Sequence, residues 1–232
     1  MTGNLCEILL MKHDISKTLS TAANALGITL GAKELSQFTA YYYELLKWNE
    51  KINLVSVKSH LDIPIKHFID SLTLLPFIKN KSGRILDIGS GAGFPGIPLK
   101  IALDSLKISL LESSRKKSSF LKHIIRSLKL TDVFVINARA ENLIEDESLR
   151  GCFDIVTSRA TFKLPEFIQT GALFLSEGGT LIAMKGKRVD EELTEAAGIS
   201  QHLGLKYILC REITLPLTRD FRRVIIYEKS LL

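Results

Sequence analysis

The chain has 232 residues, 46% apolar and 24% charged, enough to bury one large core. Thirty-one basic against 25 acidic residues leave a formal charge of +6, a mild excess that suits a polyanionic partner without requiring one. Cys6, Cys152 and Cys210 are scattered and form no CxxC pair, which excludes a zinc site built on thiols alone and a secreted disulfide scaffold.

Buried thiols in a reducing cytosol are the expectation for those three cysteines. The opening MTGNLCEILLMKHD holds only a short apolar run with no small-residue cleavage site behind it. No stretch reaches the length that spans a bilayer, so a cytoplasmic location is expected. Up to about residue 82 the periodicity is helical, with Leu35, Phe38, Tyr42, Leu45 and Leu46 recurring at steps of three and four. It predicts helices over 14–26 (stopping at Gly27), over about 33–49, and from Pro64 through His67, Leu72 and Leu75. In the run Tyr41-Tyr42-Tyr43, Tyr42 is assigned to the core and the other two to stacking or exposed positions. Trp48, Asn49 and Asn53 are expected to fix these helices against the rest of the molecule. His67 and Asp70, three apart on a helix, can pair with each other or face a site.

From Gly83 onward short apolar runs alternate with helical stretches. Strands are predicted at RILDIG (84–89), KISLLE (107–112), DVFVIN (132–137), FDIVTS (153–158) and GTLIAMK (179–185). The segments between them are long enough for crossover helices, which implies a mostly parallel, doubly wound α/β sheet. LKYILCREI (205–213) and RRVIIYEK (222–229) are joined by a short polar segment with Pro216, which suits an antiparallel pair closing one edge. The prediction is a Rossmann-like, seven-stranded sheet spanning 83–232, preceded by a helical region over 1–82.

After the first strand, Gly91-Ala92-Gly93-Phe94-Pro95-Gly96 spells GxGxxG, the dinucleotide fingerprint. Glu112, about twenty residues on, stands where a carboxylate would accept from ribose hydroxyls. Three details oppose a dinucleotide. A pyrophosphate needs backbone N–H donors at the helix start, and Pro95 and Pro98 have none. Asp87, just before the glycines, would repel pyrophosphate yet suits a positively charged ligand. The two terminal strands do not belong to a simple dinucleotide half-fold. A sulfonium cofactor with an adenosine and an amino-acid tail, S-adenosylmethionine, fits all three, and Asp87, Gly91 and Gly93 are assigned to its site. An NAD-dependent oxidoreductase, a fold that only binds RNA, and a methyltransferase acting on another nucleobase atom or a small molecule are the rivals.

The string LDIGSGAGFPGIPL resembles one family, as do KWNEKINLVS (47–56), KHFIDSL (66–72), ARAENL (138–143), SRA (158–160) and MKG (184–186), all in the same order and spacing. This is the bacterial small-subunit rRNA methyltransferase G family, also called glucose-inhibited division protein B. The resemblance covers about residues 16 to 229 and implies a class I S-adenosylmethionine-dependent methyltransferase. It further implies methylation of N7 of one guanine in the decoding region of 16S rRNA, as free rRNA or in the small subunit. Carried over, cofactor contacts fall on Gly89, Phe94, Ala140, Glu141 and Arg159, and Glu112 matches the acid at the ribose.

Guanine N7 is an acceptor without a proton, so such a transfer needs no general base, and no catalytic acid or base is assigned. Arg139, Arg159 and Lys185 are candidate substrate contacts. Residues 115–129 carry six Lys and Arg and no acid, with Arg115, Lys122 and Arg126 on one helical face. Lys185, Lys187 and Arg188 follow the fifth strand, and Arg219, Arg222 and Arg223 flank the terminal hairpin. These loop cations emerge near the crevice and are weighted above the helix as RNA contacts. No metal and no membrane partner is expected, and no exposed dimer-forming stripe is evident, so the chain is expected to be a monomer.

Overall fold

A computed structural model describes residues 5–59, 62–144, 146–159, 162–186 and 189–231, with side chains from Asp14 onward. Two helices open the chain, α1 (Leu5–Ala25) and α2 (Ala32–Asn49). A π-wound segment, Pro64–Ile69, then runs into the short α3 (Asp70–Leu72). The sheet strands are β1 (Arg84–Ile88), β2 (Lys107–Leu111), β3 (Val133–Ile136), β4 (Phe153–Arg159), β5 (Leu175–Lys185), β6 (Leu205–Thr214) and β7 (Phe221–Lys229). Between them lie α4 (Gly96–Ala102), α5 (Arg115–Ser127), a 3-10 turn (Ala140–Leu143), α6 (Leu164–Phe174) and α7 (Asp190–His202).

All seven strands fall on the predicted runs, β5 starting at Leu175 instead of Gly179. Their order is β3-β2-β1-β4-β5-β7-β6. β1 to β5 run parallel to one another, and β7 runs antiparallel to both β5 and β6. This is the predicted mostly parallel sheet with an antiparallel terminal hairpin.

Side chains of a strand alternate between faces, and here the alternation sorts the core into two layers. Ile85, Ile108, Leu110, Ile155, Ile182, Met184, Val224 and Ile226 join a cluster with α1, α2, α4 and α5. Leu86, Ile88, Leu111, Val156, Leu181, Ala183, Ile225 and Tyr227 join the other with α6 and α7. The helices before residue 83 therefore share one core with the sheet, Leu19, Phe38 and Leu45 lying in the same cluster as Ile85.

Three expectations for individual residues change. Tyr41 is as fully buried as Tyr42 is nearly so, because it stacks on Phe68 and Phe94 instead of facing solvent. Asn53 is exposed, while Trp48 packs on Phe120 and His123 and Asn49 ties the following turn, its Oδ1 accepting from Leu54 and Val55 N–H. Cys152 and Cys210 are free thiols, half-buried instead of buried; the side chain of Cys6 lies outside those described.

Candidate active site

In an open parallel sheet a ligand binds beyond the carboxyl ends of the strands, where their order reverses. Here the reversal lies between β1 and β4. The chain leaves β1 through a turn, residues 89–96, that is closed largely on itself. Gly89 and Ser90 donate to the Leu111 carbonyl at 2.8 and 3.1 Å, Gly93 and Phe94 to Ser90 at 2.7 and 2.9 Å, and Ile97 to Gly93 at 2.8 Å. Gly91 donates to Glu112 Oε2 at 2.9 Å and Gly96 to Asp87 Oδ2 at 3.0 Å. A pyrophosphate cradle needs such donors turned outward; these are turned inward. At φ +97°, Gly93 adopts a backbone that disfavours side chains, and a Cβ there would lie 2.5 Å from Ile97 Cδ1. Around Gly91, by contrast, a Cβ would meet nothing nearer than the Gly89 carbonyl at 3.9 Å.

Beside the turn a cleft of about 340 Å3 is lined by Ile88, Gly89, Leu111, Glu112, Ser113, Lys117, Ala138, Arg139, Ala140, Glu141 and Phe162. Its size is that of a small-molecule site. Glu112 is almost buried, its Oε2 accepting from Gly91 and its Oε1 from the Ser114 N–H at 2.7 Å. Each oxygen keeps a lone pair for a further donor, such as a ribose hydroxyl. Ile88, Leu111 and Ala140 supply apolar wall for a flat heterocycle. The residues present thus fit a nucleoside without a pyrophosphate. Ser113, Lys117 and Phe162 were not singled out as cleft residues in the sequence. The first two follow Glu112 by one and five residues, a usable signal; Phe162 has none.

Asp87 does not reach this cleft. Strand alternation turns it to the face of Ile85, covered by α1, α2, α4 and α5, where it is fully buried beneath the turn and braces Gly96. Its Oδ1 has no partner, and burial pushes its pKa up to about 7. The expected ligand carboxylate is therefore a strut.

Phe94 and Arg159 meet on that same face. The buried Phe94 ring lies 5.0 Å from the His67 ring at 15°, and the Arg159 guanidinium sits 4.8 Å over it. Arg159 Nη1 donates to the Lys66 carbonyl at 3.0 Å and to Asp70 Oδ2 at 3.2 Å, and Nη2 to His67 Nδ1 at 2.8 Å. Since a guanidinium only donates, His67 Nδ1 is an acceptor. Burial and the charges of Arg159 and Arg222 lower the His67 pKa to about 3, so the ring is neutral. His67 and Asp70 do not pair with each other; they share Arg159.

The basic residues separate into two groups. Lys185 donates to the Phe162 carbonyl and to Glu192 at 2.7 Å, Arg222 to both Asp70 oxygens at 2.9 Å, and Arg223 to Asp190 at 2.7 Å. These loop cations are committed within the chain. Arg115, Lys122, Arg126 and Arg219 are exposed and form no ion pair among the described residues. Lys187 and Arg188 lie outside the described residues. Among the described residues no three His, Cys, Asp or Glu side chains could hold a metal ion, and no helix is long and apolar enough to cross a membrane.

A sheet of this order, with an acid at the end of β2 and a glycine turn that withholds its N–H groups, defines a class I methyltransferase. Solved structures agree on the fold: M. jannaschii TYW2 in complex with AdoMet superposes at a TM-score of 0.53 with 20% identity, covering 70% of this chain and 76% of that one. The sequence model of rRNA small subunit methyltransferase G matches residues 34–211. A ribosomal RNA small subunit methyltransferase G from Syntrophus aciditrophicus (strain SB) is 48% identical over 90% of this chain and 88% of its own length. Another, from Geotalea uraniireducens (strain Rf4), is 41% identical over 94% and 99%. The chain belongs to this family of S-adenosylmethionine-dependent rRNA methyltransferases.

Proposed function

We propose that the chain methylates N7 of one guanine in the decoding-region loop of 16S rRNA, as a cytoplasmic monomer acting on the rRNA or the small subunit. The observation that carries the cofactor half is the inward-turned glycine loop beside a cleft holding Glu112. The choice of N7 rests on the family motifs quoted from the sequence.

When bound, S-adenosylmethionine supplies a methyl group activated by a sulfonium. Glu112 would take the ribose hydroxyls, Ile88, Leu111 and Ala140 would flank the base, and Gly89 and Glu141 would complete the cleft; Phe94 and Arg159 do not line it and join the site on the strength of the family motifs. Guanine N7 offers a lone pair and no proton, so the task of these residues is alignment and not proton removal. His67 fits that economy, since its neutral ring is engaged as an acceptor from Arg159. A cation at the purine would oppose the positive charge it gains, which favours a phosphate as the partner of Arg139.

Charge pairing reverses the weighting of the RNA contacts. Arg115, Lys122 and Arg126 recur at steps of seven and four along α5, whose first turn reaches the cleft through Lys117. This unpaired stripe, with Arg219, is the better phosphate-binding surface than the internally paired Lys185, Arg222 and Arg223.

The test is methyl transfer from labelled S-adenosylmethionine to 16S rRNA and to small subunits from cells lacking this activity. Products are mapped by borohydride and aniline cleavage, which breaks the chain at 7-methylguanosine. One cleavage in the decoding-region loop, lost with Arg159→Gln, is the expected result. Label without cleavage would sink the N7 assignment and keep the enzyme.

A further inference from the structure

Asp70 belongs to the helical region before the sheet, yet its carboxylate is the junction of three distant segments. It is wholly buried at the start of α3 and takes Arg159 from the end of β4 and Arg222 from the start of β7. Strand alternation explains the meeting, because Arg159 is on the same face of β4 as Ile155, the face the N-terminal helices cover. The carbonyl of Lys66 and the ring of His67, one turn before Asp70, complete the seat of the same guanidinium. That guanidinium and the His67 ring both lie against Phe94, inside the glycine turn.

A buried ion pair is a poor source of stability, since removing two charges from water offsets much of their attraction. Fixing one geometry is its better-supported use. Burial raises the Asp70 pKa, and the charges of and hydrogen bonds from Arg159 and Arg222 oppose that shift.

We propose that Asp70 is a positioning residue for the cofactor, holding the Arg159 guanidinium on Phe94 from outside the sheet domain. The proposal rests on the reading that Arg159 and Phe94 belong to the cofactor site. The helical region is then part of the methyl-donor site.

Affinity for S-adenosylmethionine is to be measured by calorimetry, and the KM for small subunits by methyl transfer. The variants are Asp70→Asn, Arg159→Gln and the two combined. Asp70→Asn is expected to weaken the cofactor on the order of tenfold to a hundredfold, to leave the KM for subunits within about twofold, and to add nothing in the Arg159→Gln background. Because Asp70→Asn alone leaves Arg159 and the part-exposed Arg222 short of a counter-charge, the charge-balanced Asp70→Asn/Arg222→Gln variant is tested beside it. Wild-type cofactor affinity in that folded variant overturns the proposal, as does full additivity with Arg159→Gln. If Arg159→Gln weakens the cofactor and neither Asp70 variant does, only the positioning role falls. If Arg159→Gln itself leaves affinity unchanged, the site assignment falls and takes the proposal with it.

Discussion

Tyr41 carries the clearest single bond between the helical region and the cofactor turn. Its hydroxyl donates to the Ala92 carbonyl inside the core, and its ring stacks on Phe94 at 5.7 Å. Tyr41→Phe keeps the stacking and leaves a buried carbonyl short of a donor, a loss of about 1–3 kcal/mol that urea unfolding would measure. Cofactor affinity is expected to fall with it, because the turn loses an anchor; unchanged affinity would separate the bond from the site. Asp87 acts on the same turn through its proton. Unfolded, its carboxyl titrates near 3.8, and folded at about 7, so over that interval the folded chain holds the extra proton. Its contribution to stability is therefore full below about pH 4 and lost as pH rises through about 7. Asp87→Asn cannot titrate, so its stability relative to the wild type is expected to rise between pH 5 and 8 in thermal unfolding series. A constant difference across that range would mean that Asp87 is ionised throughout. Of these two residues the sequence offered half the story. The place of Asp87 before the glycines was visible, but its aim was taken as ligand-ward, though period two puts it on the face of Ile85. The burial of Tyr41 was within reach of the same spacing that placed Tyr42 in the core, since Tyr41 stands three after Phe38 and four before Leu45.

At the scale of elements, the same physics explains what could be read in advance. The strands were legible because buried parallel strands are unbroken apolar runs between glycines and polar turns. Of the cleft residues, Glu112 was legible from its place after the second strand, whereas Ala140 and Glu141 came with the family motif ARAENL; all three line the cleft. The partners of the basic residues were not legible, since Arg222 finds Asp70 across 152 positions and nothing local announces it. This difference makes α5 the element to test for RNA. Lys122→Glu/Arg126→Glu, on its exposed face, is expected to raise the KM for small subunits on the order of tenfold and flatten its salt dependence by about two units of slope. Affinity for S-adenosylmethionine should stay as in the wild type, because neither side chain lines the cleft. Arg223→Gln, which removes a cation already paired with Asp190 and Glu212, is the control and should change the KM little. Equal losses from both would return the loop cations to the interface.

For the whole molecule, the decisive fact is how many bonds cross between residues before 83 and the sheet domain. Glu44 meets His123 at 2.6 Å, Gln37 donates to the Leu128 carbonyl at 3.0 Å, and Lys33 pairs with Asp104 at 3.0 Å. Phe38, Tyr41 and Leu45 lie in one apolar cluster with Ile97, Phe120 and Ile124. Deleting residues 1–82 would uncover that face of the sheet and its helices, leaving an apolar surface that favours association over folding. The chain supplies its own reporter of this unity, because its one tryptophan, Trp48, sits on α2 with its ring 5.6 Å from Phe120 and 5.2 Å from His123 of α5. Its fluorescence follows the junction, whereas far-ultraviolet circular dichroism follows the helices and the sheet together. If the two regions form one cooperative unit, both signals lose amplitude at the same urea concentration with the same slope. If the helices undock first, the fluorescence midpoint falls below the dichroism midpoint. Cofactor binding should then shift the earlier transition, because Tyr41, His67 and Asp70 grip the turn and Arg159 from the undocking side. A single transition that S-adenosylmethionine moves upward as a whole is the outcome expected from a core shared across residue 83.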